Sequence, residues 1–262
     1  MWDFIWNTRG YFFWLLVVSV FVFFLERLFP WRKEQKVMRK GIWQDFFFLV
    51  FNGHYLAIVI SLATAWLLSK IAHFFQISWN PESVNLLSGA PIWVQAIVFL
   101  VFKDLVEWWI HRALHTFPWL WRFHKLHHSI HDMDWIGNFR FHWMEVVVYK
   151  TLSYLPLTIL GVDGNVILII AVIGTLIGHL NHANLRWDYG PLRHILNSPR
   201  FHVWHHDKVN HQPHGQNFAI FFSFWDWLFG TAYWPEQPEQ PEALGFQGDE
   251  KYPQPLWKRM LP

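Results

Sequence analysis

The chain has 262 residues, 53% hydrophobic and 20% aromatic, with a positive mean hydropathy, which points away from a soluble globule and toward a bilayer protein. A formal charge of +2, with the bases in short clusters between apolar runs, speaks against a nucleic-acid surface and fits membrane orientation. With no cysteine there is no disulfide, thiolate metal site or cysteine nucleophile, so any metal must be held by nitrogen or oxygen.

Residues 11–25, YFFWLLVVSVFVFFL, are uncharged and closed by Glu26, Arg27 and then PWRKEQKVMRK, predicting a first transmembrane helix with a basic flank. A cleaved signal peptide fits less well, since only Arg9 precedes the run and no small-residue cleavage site follows. A second run covers about 46–69, interrupted by Asn52, Gly53 and His54. A third covers about 91–110, with Lys103, Asp104 and Glu107 near its end. The runs at about 146–161 and 165–181, parted by the turn GVDGN, predict a helical hairpin that either spans the bilayer or re-enters it.

The expected fold is therefore all-α and polytopic, with about four transmembrane helices, or three plus a re-entrant hairpin, and a helical histidine-rich cap. The chain divides into N-terminal transmembrane helices (1–95), a histidine-bearing catalytic domain (96–234) and a Pro/Glu-rich tail (235–262) expected to lie loosely on the surface. Arg27, Arg32, Lys33, Lys36, Arg39 and Lys40, set against Lys70 alone in 70–90, place the first loop in the cytoplasm. Counting crossings from there lands 111–145 and the segment after 182 on that same face.

The 17 histidines, against only 19 acidic residues, need a cause. His111 and His115 lie one helical turn apart; His124, His127 and His128, then His202, His205 and His206, repeat spacings of three and four, each a chelating edge on a helix. His179 and His182 end the fifth apolar run. Neutral imidazole ligates iron, zinc, copper and nickel, several nitrogens to one ion at about 2.0–2.2 Å. Three boxes hold more histidines than one ion needs, and with His182 and His179 the ten suit two ions of about five nitrogens each, a helical site analogous to the carboxylate di-iron bundles.

His54, His73 and His194 stand alone and read as interfacial or hydrogen-bonded residues, and His211 and His214 as loop decoration. Asp104, Glu107 and Glu145 lie where an apolar run meets a box. A carboxylate there either takes the outer N–H of a metal-bound imidazole or pairs with Arg112, Arg122 or Arg140. His142 is a ligand, an outer partner of a ligand or a substrate contact.

DLVEWWIHRALH, RFHKLHHS, NFRFHWME, HANLRW, SPRFHVWHH and WDWLFGT, in that order over about residues 100–231, together resemble the sterol desaturase/fatty acid hydroxylase superfamily of integral-membrane di-iron oxygenases. About eight residues part the first two boxes, fewer than in membrane desaturases of the acyl-lipid type. The resemblance implies two iron ions, replaceable by zinc on purification, held by His111, His115, His124, His127, His128, His182, His202, His205 and His206, with His179 the best match for a tenth ligand. It implies Asp104, Glu145 and His142 as supporting groups, O2 as co-substrate, and hydroxylation or desaturation of an unactivated C–H bond of a sterol, fatty acyl chain or related lipid.

Two stretches depart from the family pattern: His142-Trp143-Met144-Glu145 where His-Pro-x-Glu is frequent, and Asn217-Phe218-Ala219 where Asn-Tyr-Gly is. Both lie outside the boxes and bear on substrate choice more than on metal binding. Without a Cys-rich cluster, a Gly-x-Gly-x-x-Gly site or a spare haem domain, electrons must come from a separate reductase, cytochrome or ferredoxin. The expected location is a bacterial inner membrane, with the site facing the cytoplasm. Two rivals fit less well: a zinc-dependent membrane hydrolase lacks a His-Glu-x-x-His arrangement, and a metal transporter or chaperone would string its ligands through the membrane.

Overall fold

The computed structural model describes residues 6–76, 86–209, 215–237, 239–253 and 255–261. His211 and His214 lie outside them. Among the described residues every regular element is helical, and extended chain pairs only at an isolated bridge between Asp207 and Leu244.

The first apolar run forms α1 (Tyr11–Leu28). The second is one rod: α2 (Ile42–Val50) passes through a π-helical turn, Phe51–Tyr55, into α3 (Leu56–Phe74). That turn is the Asn52-Gly53-His54 interruption, and such wide turns often mark functional positions. Here buried Asn52 donates to the carbonyls of Phe139 and Phe141, both at 2.9 Å. Gly53 admits α1, since a Cβ there would lie 2.8 Å from Leu15 Cδ2.

Three stretches, Tyr11–Leu28, Ile42–Ile71 and Gly164–His182, are long and apolar enough to cross a bilayer. Phe21, Phe24, Leu62 and Trp66 stay exposed on the first two, as suits side chains that meet lipid. The helix α4 (Ile92–Thr116) buries Lys103, Asp104 and Glu107 and packs against the hairpin formed by α6 (Trp143–Ile159) and α7 (Gly164–His182). The Asp163 carboxylate caps α7 by accepting from Asn165 N at 2.8 Å. The remaining helices, α5 (Pro118–His128), α8 (Pro199–His202), α9 (Phe224–Phe229) and α10 (Leu256–Arg259), are short.

The basic first loop is tied into the cap. Arg39 pairs with Asp45 at 2.6 Å and Asp134 at 2.5 Å, and Arg140 clasps both oxygens of Asp45 at 2.6 and 2.7 Å, all four residues being buried. Glu26 accepts from the backbone N–H groups of Trp135 and Asn184 at 3.0 and 2.9 Å.

The tail is not loose. Lys208 N donates to Ala243 O at 2.9 Å and Gly245 N to His206 O at 3.0 Å, while buried Asp249 takes His131 at 2.9 Å and Lys208 at 2.5 Å. Its Pro/Glu-rich composition masks a few residues, Leu244, Phe246 and Asp249 among them, that find partners at Asp207 and Lys208 after the third histidine box, at Trp121 of α5 and at His131.

Candidate metal centre

A break at Phe117, with Pro118 opening α5, turns that helix back on the end of α4, so that the first two boxes face each other. The end of α7 contributes His182, and α8 with the turn after it contributes the third box. Only His202 of that box is α-helical; His205 and His206 sit in tight turns, with His205 N bonded to His202 O and His206 N to Val203 O. Regular helical spacing thus overstates the order of this segment. Two groups result, each with one ring nitrogen per residue within 4.8 Å of the others: His111, His115, His124, His128 and His205; and His127, His182, His202 and His206.

Hydrogen bonding fixes which nitrogens face inward. The Nδ1–H of His111 donates to Phe218 O at 2.7 Å, that of His205 to Gln216 O at 2.7 Å, and that of His182 to Gly178 O at 2.9 Å. His124 Nδ1 meets Glu145 Oε2 at 2.6 Å. Neutral rings that donate from Nδ1 carry a lone pair on Nε2. His111 and His124 nevertheless bring their Nε2 atoms to 3.1 Å, where neither has a proton to give. His182 Nε2, which carries a lone pair because its Nδ1 donates, stands 3.1 Å from His127 Nε2 and 3.3 Å from His202 Nε2.

Lone pairs crowded in this way need a cation between them. Both ring nitrogens of His206 are also buried without a hydrogen-bond partner, a costly arrangement that a metal relieves. Burial, followed by the neighbouring imidazoles, holds His124, His127, His128, His205 and His206 well below the ordinary histidine range, in the neutral form that ligates metals. The nine histidines therefore fit two metal ions.

The tenth does not join them. His179 donates from Nδ1 to Trp135 O at 2.9 Å and meets the Ser19 hydroxyl with Nε2 at 3.0 Å, so one nitrogen ties α7 to the turn at Trp135 and the other ties it to α1. Glu145 behaves as a carboxylate behind a ligand and also completes a capping box with His142 at the start of α6. Asp104 sits one layer further out: it accepts from the N–H groups of Phe221 and Phe222 and from Trp225 Nε1, at 2.8 to 2.9 Å, and so shapes the loop that follows the Phe218 carbonyl. Glu107 pairs with Lys103 at 2.5 Å and accepts from Ser153 at 3.1 Å. None of the three carboxylates pairs with Arg112, Arg122 or Arg140. His142 contacts Met144 N and Met260 O, away from both groups.

Sequence reasoning missed the segment 216–219. It departs from the family pattern, yet its carbonyls orient His205 and His111. Asp226 holds it by accepting from the N–H groups of Phe218 and Ala219 at 2.9 and 2.8 Å. The aspartate of the WDW motif was the available signal; a main-chain carbonyl leaves none.

Residues 96–231, which hold all nine converging histidines, match the family model for fatty acid hydroxylase. The chain belongs to this family. Over 247 residues it is 30% identical to an ornithine lipid hydroxylase of Rhizobium tropici, covering 89% of this chain and 70% of that protein. It is 28% identical over 161 residues to a very-long-chain aldehyde decarbonylase of Oryza sativa, covering 55% of this chain and 24% of that protein. It is 29% identical over 162 residues to an alkylglycerol monooxygenase of Danio rerio, covering 61% and 32%. The chain thus spans most of the first relative and a third or less of the other two. No solved structure matches it.

The relatives all fall within the sterol desaturase/fatty acid hydroxylase superfamily, and the metal-dependent oxidative chemistry of the fatty acid hydroxylases suits a cavity that reaches the histidines from between the helices. This cavity, of about 180 Å³, runs between α1, α4, α6 and α7, with His111, His124, His127, His182 and His202 in its wall.

Proposed function

We propose that the chain is a di-iron, O2-dependent hydroxylase of a membrane lipid, supplied with electrons by a separate carrier protein. The observation that carries this reading is the gathering of nine mostly buried imidazoles into two groups beside one cavity between membrane helices. The net reaction consumes a C–H bond, O2, two electrons and two protons, and yields an alcohol and water. Bound iron supplies the oxidising power. The protein holds one ion in each group, keeps His124 oriented through Glu145, and seats the alkyl chain in a cavity that excludes water. Hydroxylation is favoured over desaturation because one relative is named a hydroxylase and another a monooxygenase. A single catalytic zinc with about three protein ligands would leave most of these histidines without a role.

The centre is proposed to face the cytoplasm of a bacterial inner membrane. A cysteine placed beside His128, as in Ser129→Cys, is then labelled only from that side.

The test is metal analysis of protein purified without oxygen, together with lipid extracts incubated under 18O2. Close to two irons per chain and a product carrying one labelled oxygen are expected, with His127→Ala and His205→Ala, one from each group, abolishing turnover. A single zinc with no oxygen uptake would move the assignment to a hydrolase.

A further inference from the structure

One wall of the cavity is a stripe of α6. Val146, Tyr149, Lys150 and Tyr154 follow the spacing that puts side chains on a single helix face. Two lysines line the same space. Lys103 is matched by Glu107 at 2.5 Å, both buried. Lys150 has no such match: among the described residues no carboxylate reaches it, and its Nζ meets only rings, that of Tyr154 at 4.4 Å and that of Tyr11 at 6.0 Å from the centroids. The nearby Asp104 carboxylate is committed to Phe221, Phe222 and Trp225. Lys150 is half-buried, so its ammonium is partly desolvated against the aromatic rings without a counter-charge, and the cavity it faces is where a ligand would bring that charge.

Position along α6 adds a second constraint. Lys150 lies five residues beyond Glu145, whose carboxylate holds His124 at 2.6 Å; at 1.5 Å per residue this is about 7.5 Å along the helix axis. Long helical side chains also lean back toward the N-terminus, here toward the histidines.

Building on the lipid-oxygenase reading, we propose that the substrate is an anionic lipid whose carboxylate or phosphate binds Lys150, so that the carbon presented to the histidine groups lies near the head group and not at the methyl end. Tyr11 and Tyr154, at the same end of the cavity, complete a polar collar around the head. The alkyl chain lies along the apolar remainder.

The test uses the metal-loaded protein in detergent and three sixteen-carbon probes: an N-palmitoyl amino acid, palmitoyl lysophosphatidic acid and neutral hexadecylglycerol. Binding is read by native mass spectrometry and tryptophan fluorescence. At least one anionic probe is expected to bind about tenfold more tightly than the neutral one, about 1.4 kcal/mol, and the stronger of the two identifies the head group as carboxylate or phosphate. Lys150→Met should erase the preference while leaving neutral-lipid binding and metal content unchanged, and Lys150→Arg should keep it.

Equal affinity for charged and neutral probes in the unaltered protein would overturn the proposal. So would a Lys150→Met variant that weakens all three probes alike or loses metal, since either marks a packing role. In turnover, tandem mass spectrometry should place the new hydroxyl in the head-group half of the molecule, and oxidation at the methyl end removes the proposed placement. A charge preference that persists without any oxidation would instead count against the oxygenase reading.

Discussion

His179 and His206 carry similar sequence signals, a histidine within three or four residues of another, and the fold gives them opposite fates. His179 has a partner on each nitrogen, whereas His206 is buried with neither satisfied. His206→Asn and His182→Asn are therefore expected to lower metal content. His179→Asn should leave it unchanged and cost about 1–3 kcal/mol of stability through the hydrogen bonds it breaks. Metal analysis beside thermal melts separates these outcomes, and metal loss from His179→Asn would restore it to the ligand set. Behind the ligands, Glu145→Gln keeps the shape but not the charge that steadies His124, and a loss of about 10–100-fold in metal affinity is expected from chelator competition. Acid acts on the same rings. Their folded values are depressed below the ordinary 6.5, so the unfolded chain takes up protons first as pH falls. The metal-free fold keeps its full stability above about pH 6.5 and loses it progressively below; a melt that is flat from pH 7 to pH 5 would contradict this.

Among the elements, the first two boxes were legible because a repeat of three and four is a local property of helices. The apolar runs were legible for the same reason, down to the Asn52-Gly53-His54 break that became the π-helical turn. The docked tail was not, because its partners are His131, His206 and Lys208, and distant contacts leave no period in the sequence. That strap closes over a cavity of about 270 Å³ lined by Trp121, His128 and Phe246, so its opening should expose the proposed metal centre. Gly245 has φ of +132°, and a Cβ there would run into the Asp249 carboxylate. Gly248, with φ of +85°, has open space around it. Gly245→Ala should therefore release the strap, with strain of about 1–3 kcal/mol, while Gly248→Ala should add only the backbone cost of about 1 kcal/mol. Faster tryptic cleavage of the tail and faster metal loss to EDTA in Gly245→Ala than in Gly248→Ala are the expected readings. Equal rates in the two variants would mean that the strap does not guard the site.

For the whole molecule, the question is what holds a cap with so small an apolar centre. Its own buried hydrophobic cluster is Ile130, Met133, Val203 and Trp204, and most of what it buries beyond this is polar. Two devices take the place of a larger core: the metal ions that the two histidine groups are proposed to hold, and the Arg39, Asp45, Asp134 and Arg140 network that joins α2 to the cap. Ions that bind only the folded chain stabilise it by mass action, each by about 4 kcal/mol when free metal exceeds Kd a thousandfold. Asp45 is the shared node of the network, and among the described residues Arg140 reaches no other carboxylate. Asp45→Ala strands that guanidinium, at a cost of about 3–5 kcal/mol, whereas Arg39 keeps Asp134. Removing metal and removing Asp45 strike the same cap, so their effects should not simply add. The expected result in detergent is a lower Tm for either change alone. Combining them should abolish near-ultraviolet circular dichroism from the cap tryptophans while far-ultraviolet helicity from α1 to α3 and α7 persists, since those helices satisfy their backbone within the bilayer-like phase. A Tm unmoved by chelation, with the metal shown to be gone, would locate the stability of the cap in the charge network alone.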